Sequence, residues 1–328
     1  MNASNAPRHL LEVDDLSPAE LVRILDLAEL ADPPQVLAGS GGVLLFEKPS
    51  ARTRTSTEMA IYQLGGLPVS LSGAEVGIDT RETAEDLGRL MSGYGKVIGA
   101  RVYEHHKLER MASVSSVPVI NLLSDDAHPI QTLADLLTLR QCFGRLDGLC
   151  VTYVGDANNV ARSLAIGCGM VGASFRISSP PGYRFDDVSL DRIRSAGTDV
   201  SVIDDPHVAV DGADAVYTDA WYSMGQEEER RIRQEAFDLW RVDESLMAAA
   251  GPDVVFLHCL PAHRGDEATN GVLDGPQSRI WPQAHNRMHS ARGLILWLAE
   301  HGAAGEHAVA GEHAVAGEHA AAAEQDGS

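Results

Sequence analysis

Short apolar runs recur along the chain, separated by stretches in which apolar residues return every three or four positions. The runs are VLLF (43–46), LPVSL (67–71), VIGAR (97–101), PVINLL (118–123), LCVTYVG (149–155), SFRIS (174–178), AVYTD (215–219) and VVFLHCL (254–260). Their length and bounding turn residues predict strands, and the helical patterns between most of them predict parallel sheets with helical crossovers. Among the helical patterns, SPAELVRILDLAEL opens with a capping box: Ser17 caps, Pro18 suits the first turn, and Glu20 reaches back. Leu21, Ile24, Leu25 and Leu27 form its apolar face. AHNRMHSARGLILWLAE (284–300) reads as a closing helix. The fold class expected is therefore α/β, two doubly wound parallel-sheet domains, residues 1–145 and 146–284, with a C-terminal helix over 285–302.

Beyond that helix the pattern ends. Residues 303–328 repeat GEHAVA with a six-residue period, in a composition of Ala, Gly, Glu and His that offers little to bury, and a disordered tail is expected. Histidines 307, 313 and 319 recur there without a second fixed type of metal ligand, so no metal site is predicted.

Charge narrows the partners. The chain of 328 residues carries 47 acids against 26 bases, a net charge of −21. That disfavours nucleic acid and anionic membrane as partners. No apolar run reaches a membrane-span length, and the N-terminus shows no signal pattern, which together predict a soluble cytoplasmic protein. The four cysteines (Cys142, Cys150, Cys168, Cys259) show neither a CxxC pair nor zinc spacing, and free thiols are expected.

Against this acidic background, FEKPSARTRTSTE (46–58) sets Lys48, Arg52 and Arg54 directly after the first strand. In parallel α/β sheets ligands bind beyond the carboxyl ends of the strands. Arg101 ends VIGAR; SDDAHPIQTLADLLTL, GDANNVARSL, DAWYSMG and HCLPAHRGDE follow later strands. Ser50, Arg52, Thr53 and Arg54 stand where a helix should begin, so unpaired backbone N–H groups, hydroxyls and guanidinium forks would make an anion cradle. The GxxxxGK[ST] signature of a nucleotide P-loop is absent. GCGMVG (167–172) matches GxGxxG, but its position late in a helical pattern reads as helix glycines rather than a dinucleotide site. His128 and Gln131 of HPIQ add a donor for a carbonyl oxygen and an acceptor for an amide.

Taken together, SARTRT, HPIQTLADLLT, YTDAWYSMG and HCLPAHRGDE resemble the aspartate/ornithine carbamoyltransferase family, on its ornithine branch, over roughly residues 8–300. The resemblance implies transfer of a carbamoyl group from carbamoyl phosphate to the side-chain amine of L-ornithine, without a cofactor. It implies a carbamoyl phosphate domain followed by an ornithine domain, with the last helix packing back on the first. Ser50, Ala51, Arg52 and Thr53, then Arg101, His128, Gln131 and Arg287, would bind carbamoyl phosphate. Asn159, Asp219, Ser223 and Met224 would hold the amino-acid head of ornithine. Cys259 and Leu260 would stand at the reacting centre. Arg52, Arg101, His128 and Cys259 are the expected catalytic set. The resemblance further implies a homotrimer, or an assembly of trimers, in which a loop corresponding to 72–83 reaches a neighbouring site. Glu75 in that loop would bring a carboxylate towards a phosphate. Other acceptor amines, such as putrescine or an N-acylated ornithine, and a non-catalytic regulatory role are the alternative readings.

Overall fold

A computed structural model describes residues 6–222 and 229–323, with side chains up to His301. Ser223 and Met224 lie outside the described residues. The first sheet contains β1 (Gly41–Phe46), β2 (Leu67–Ser72), β3 (Val97–Arg101) and β4 (Val119–Leu123), all parallel, in the order β2-β1-β3-β4. The second contains β5 (Cys150–Val154), β6 (Ser174–Ser178), β7 (Val200–Val202), β8 (Ala215–Thr218) and β9 (Val255–His258), also parallel, in the order β7-β6-β5-β8-β9. β1 and β3 are buried along their whole length, as strands covered on both faces must be.

The helices are α1 (Pro18–Ala28), α2 (Ala51–Gln63), α3 (Gly73–Val76), α4 (Ala84–Ser92), α5 (His106–Ala112) and α6 (Pro129–Phe143) in the first half. The second half has α7 (Asn159–Met170), α8 (Asp187–Ser195), α9 (Pro206–Val210), α10 (Arg230–Phe237), α11 (Glu244–Ala250), α12 (Asn270–Leu273) and α13 (Ile280–Ala323). α1 begins as its sequence predicts. Glu20 N–H donates to Ser17 Oγ at 3.3 Å, and Ser17 N–H donates back to Glu20 Oε2 at 2.8 Å. Its Leu21, Ile24 and Leu25 are fully buried, each contributing on the order of 2 kcal/mol of transfer free energy.

The three helices α6, α7 and α13 join the two halves. One apolar core runs from Leu10 and Ile24 through Leu133 and Leu137 of α6 and Leu164 of α7 to Leu294 and Leu298 of α13. α13 packs on α1, α2 and α6, and so returns to the first half. A Cβ at Gly293 would collide with the Ile24 carbonyl, so glycine there allows the close approach of α13 to α1. The glycines of GCGMVG lie in and just after α7; a Cβ at Gly167 would strike Thr132 of α6. That sequence is a packing seam, not a phosphate turn.

Three readings need correction. β7 was not foreseen: it is a three-residue edge strand, half exposed, with no apolar run to announce it. The last strand stops at His258 rather than 260, because Leu260 turns to φ +59° and Pro261 has no N–H to donate. The closing helix is longer than 285–302. Its backbone is helical from Ile280 to Ala323, through most of the repeat for which composition predicts disorder. Alanine is the best helix former, and no proline interrupts the repeat. Among the described residues no helix is long and apolar enough to cross a membrane.

Candidate active site

Each sheet reverses its strand order once, between β1 and β3 in the first and between β5 and β8 in the second. Such switch points open crevices at the carboxyl ends of the strands. Here both line one cavity of about 920 Å³, whose walls carry residues 48–53, Arg101, His128, Asn158, Asn159, Asp219, Cys259, Leu260 and Arg287.

On the first wall, α2 starts at the cavity. Ser50 is its N-cap, accepting from Thr53 N–H at 3.3 Å. The first N–H groups of this 13-residue helix have no intrahelical partner. Thr53 is buried, and its Oγ1 gathers three donors: Arg287 Nη2 at 2.7 Å, Ser50 Oγ at 3.0 Å and Arg101 Nη1 at 3.5 Å. Arg52 and Lys48 also line the cavity. Burial, then Arg287 and Arg52, push the Arg101 guanidinium down to about 10, and burial lowers Arg287 as well. His128 caps α6 and is buried. Desolvation, then Arg287 and Arg101, hold it well below the usual imidazole range, so it is neutral with one N–H to donate.

Three buried nitrogens here, Arg101 Nε, Arg287 Nε and His128 Nδ1, have no partner among the described residues. A buried donor or acceptor left unsatisfied costs about 1–3 kcal/mol. Three around one cavity, beside clustered guanidinium groups, are the mark of a site built for an anion with a carbonyl oxygen.

Arg54 is not part of this wall. It is exposed and pairs with Glu58 at 2.8 Å, one helical turn along. Gln131 is buried behind the wall rather than lining it. Its Oε1 accepts from Arg287 Nη1 at 2.7 Å and its Nε2 donates to Asp135 Oδ1 at 2.7 Å.

On the opposite wall, Asp219 follows β8. Its Oδ1 accepts from Ala220 N–H at 2.7 Å and from the Cys259 thiol at 2.9 Å; its Oδ2 accepts from Asn158 Nδ2 at 3.1 Å. Burial, then the neighbouring Asp219, push the Cys259 thiol well above its ordinary value. It is therefore a protonated donor to Asp219, not a ready thiolate. Asn159, expected at a substrate head group, lines the cavity but donates Nδ2 to the Ser124 carbonyl at 2.7 Å, bridging the two halves.

Sequence reasoning missed Asn158, which caps α7 and holds Asp219; the doubled Asn of GDANN was the available signal. It also missed His263, which lines the cavity and stacks on Tyr222 with ring centroids 4.3 Å apart.

Glu75 lies away from this cavity. Its Oε2 accepts from Ser72 N–H and Ser72 Oγ, both at 2.7 Å, closing a capping box on α3. These bonds hold its carboxyl below the usual range. Arg81 binds the Glu75 backbone carbonyl at 2.9 Å.

Comparison with known proteins agrees with this architecture. The family described as aspartate/ornithine carbamoyltransferase, carbamoyl-P binding domain, matches residues 8–141, and the Asp/Orn binding domain of the same family matches 147–298. The ornithine carbamoyltransferase of Acidothermus cellulolyticus is 45 % identical over 307 residues, covering 91 % of this chain and 98 % of its own. That of Haloquadratum walsbyi is 44 % identical over 88 % of this chain and 97 % of its own. The ornithine carbamoyltransferase structure from Pyrococcus furiosus superposes with a TM-score of 0.84 at 40 % identity, covering 90 % of this chain and 97 % of that one. The Thermus thermophilus enzyme gives 0.82 at 42 % identity, with 89 % and 99 % covered. With both halves of its sequence, its two facing switch points and its whole architecture in agreement, the chain belongs to the aspartate/ornithine carbamoyltransferase family.

Proposed function

We propose that this protein transfers the carbamoyl group of carbamoyl phosphate to the side-chain amine of L-ornithine, forming L-citrulline and phosphate. One observation carries the reading: a cationic wall at the start of α2 faces an anionic residue, Asp219, across a single cavity. The phosphate sits at the α2 N-terminus, on Ser50, Ala51, Arg52 and Thr53, with Arg101 completing its shell. Arg287 stands beside it. The carbamoyl oxygen lies within reach of the neutral His128 and of Arg101, and the backbone carbonyls of Cys259 and Leu260 accept from the carbamoyl NH₂. Asp219, oriented by Asn158, takes the α-ammonium of ornithine, with Asn159, Ser223 and Met224 completing the head-group site.

The chemistry is an acyl-type substitution. The neutral side-chain amine of ornithine attacks the carbamoyl carbon, and an N–C bond forms. Negative charge builds on the carbonyl oxygen, where His128 N–H and Arg101 stabilise it. The C–O bond to phosphate then breaks, the leaving group departs with the electron pair, and the surplus proton of the amine passes to phosphate or solvent. The guanidinium groups lower the cost of expelling the dianion.

A homotrimer in the cytoplasm, in which the 72–83 loop completes the site of a neighbour, belongs to the same reading. The experiment that tests the function measures ureido product from carbamoyl phosphate with ornithine, putrescine, aspartate and N-acetylornithine in parallel. Citrulline from ornithine, at a rate far above the other three, is expected. A faster rate with another amine would replace the acceptor, and no product with any would remove the assignment.

A further inference from the structure

Behind the cationic wall lies a carboxylate with no role in the chemistry just described. Asp135, on α6, is fully buried. Its Oδ1 accepts from Gln131 Nε2 at 2.7 Å and from Gln283 Nε2 of α13 at 2.6 Å, and the buried Tyr217 hydroxyl of β8 also interacts with this carboxyl. Both glutamines are themselves buried.

We infer that Asp135 is a positioning residue for carbamoyl transfer, because it decides which way two buried amides face and each amide then holds one wall of the cavity. The inference rests on the proposed function. Oδ1 is the acceptor in both bonds, whether the carboxyl is ionised or carries its proton on Oδ2, so the NH₂ groups of Gln131 and Gln283 turn towards it and their carbonyl oxygens away. Turned away, Gln131 Oε1 accepts from Arg287 Nη1 at 2.7 Å, and Arg287 reaches Thr53 Oγ1 with its other terminal nitrogen. Turned away, Gln283 Oε1 accepts from His258 N–H at 2.9 Å, at the end of β9, directly before Cys259 and Leu260. A reversed Gln131 would set oxygen against the carboxylate and NH₂ against a guanidinium, two repulsive contacts in place of two bonds. A reversed Gln283 would set oxygen against the carboxylate and NH₂ against N–H. One oxygen atom thus fixes the polarity of a chain from Thr53 to His258 that links α2, α13, α6 and β9. Asp135 itself is not among the residues lining the cavity.

The test compares Asp135→Leu, which removes the acceptor, with Asp135→Asn, which keeps an oxygen for both amides. Carbamoyl phosphate binding is measured by calorimetry on the full chain, and turnover with ornithine alongside. In D135L, binding should weaken and kcat fall, each at least about tenfold, and D135N should recover most of both. The two arms separate in single variants. Q131L should weaken carbamoyl phosphate binding with a smaller effect on kcat at saturation, and Q283L should lower kcat with binding nearly unchanged. A folded D135L with wild-type binding and turnover overturns the inference, as does an equal loss of the same quantity in Q131L and Q283L. Should D135L fail to fold, the Q131L and Q283L pair decides. Wild-type protein that binds carbamoyl phosphate but forms no citrulline would sink the acceptor assignment, while the binding arm of Q131L still judges the positioning role. Wild-type protein that does not bind carbamoyl phosphate would overturn both.

Discussion

Arg287 Nη2 donates to Thr53 Oγ1 at 2.7 Å across 234 residues of chain. The C-terminal helix therefore supplies a guanidinium to the first turn of α2, where the candidate anion cradle begins. The same hydroxyl accepts from Ser50 and Arg101, so a single threonine organises the wall.

That arrangement predicts the effect of Thr53→Val, which keeps the shape and removes the acceptor. Arg287 Nη2 and Ser50 Oγ lose a partner in a buried setting, which costs about 1–3 kcal/mol of stability. Urea unfolding should register this, with kcat/KM for carbamoyl phosphate falling at least about tenfold. Unchanged values for both would mean the hydroxyl organises nothing.

Arg52 offers a cleaner functional probe. It is exposed, lines the cavity and has no carboxylate partner among the described residues, so its removal should leave the melting temperature nearly unchanged. Arg52→Ala should cut kcat/KM for carbamoyl phosphate at least about a hundredfold, roughly 3 kcal/mol. A folded variant with near-normal kinetics is the result that would remove Arg52 from the site.

The thiols separate by environment. Cys259 is buried, donates to Asp219 and is held far from the thiolate form, whereas Cys142 is exposed. Iodoacetamide at mildly alkaline pH should label Cys142 and leave Cys259 intact, as read by peptide mass mapping. Rapid alkylation of Cys259 would contradict the protonated, hydrogen-bonded state.

Burial raises Asp135 to about 7, outweighing the hydrogen bonds from Gln283, Gln131 and Tyr217 and the charge of Arg287. An acid whose folded value lies above its unfolded one binds its proton more tightly in the native state. Its contribution to stability is therefore full below the unfolded value near 4 and is lost as pH rises through about 7. Asp135→Asn cannot titrate. The stability of the wild type relative to D135N should thus be greater near pH 5 than near pH 8 when both are unfolded in urea. A difference that does not move with pH would place Asp135 in a far less buried state.

Among the described side chains, the core contributed by α13 ends at Leu298, and the contacts Arg23–Glu300 and Trp297–His301 follow it. Truncation after His301 keeps all of these. Melting temperature, assembly and kcat/KM should stay within experimental error of the full chain. Loss of assembly after truncation would give the GEHAVA segment a structural role.

The sequence by itself determined the strands that carry an apolar run, the caps of α1 and α2, and which residues stand after which strand. These depend on neighbours within a few positions, and periodicity records them directly. Tertiary structure decided the partners. Arg52 and Arg54 look equivalent in SARTRT, yet two residues turn a helix by about 200°, and only Arg52 reaches the cavity. Asn158 and Asn159 are adjacent, yet one orients Asp219 and the other bridges to Ser124. Gln131 reads as a residue that meets substrate, but α13 brings Arg287 to its oxygen and Gln283 to the carboxylate it shares. The Asp135–Gln283 contact spans 148 residues, and no local pattern encodes it. A buried polar group takes whichever partner the packed helices deliver, because leaving it unpaired costs more than any local preference can return.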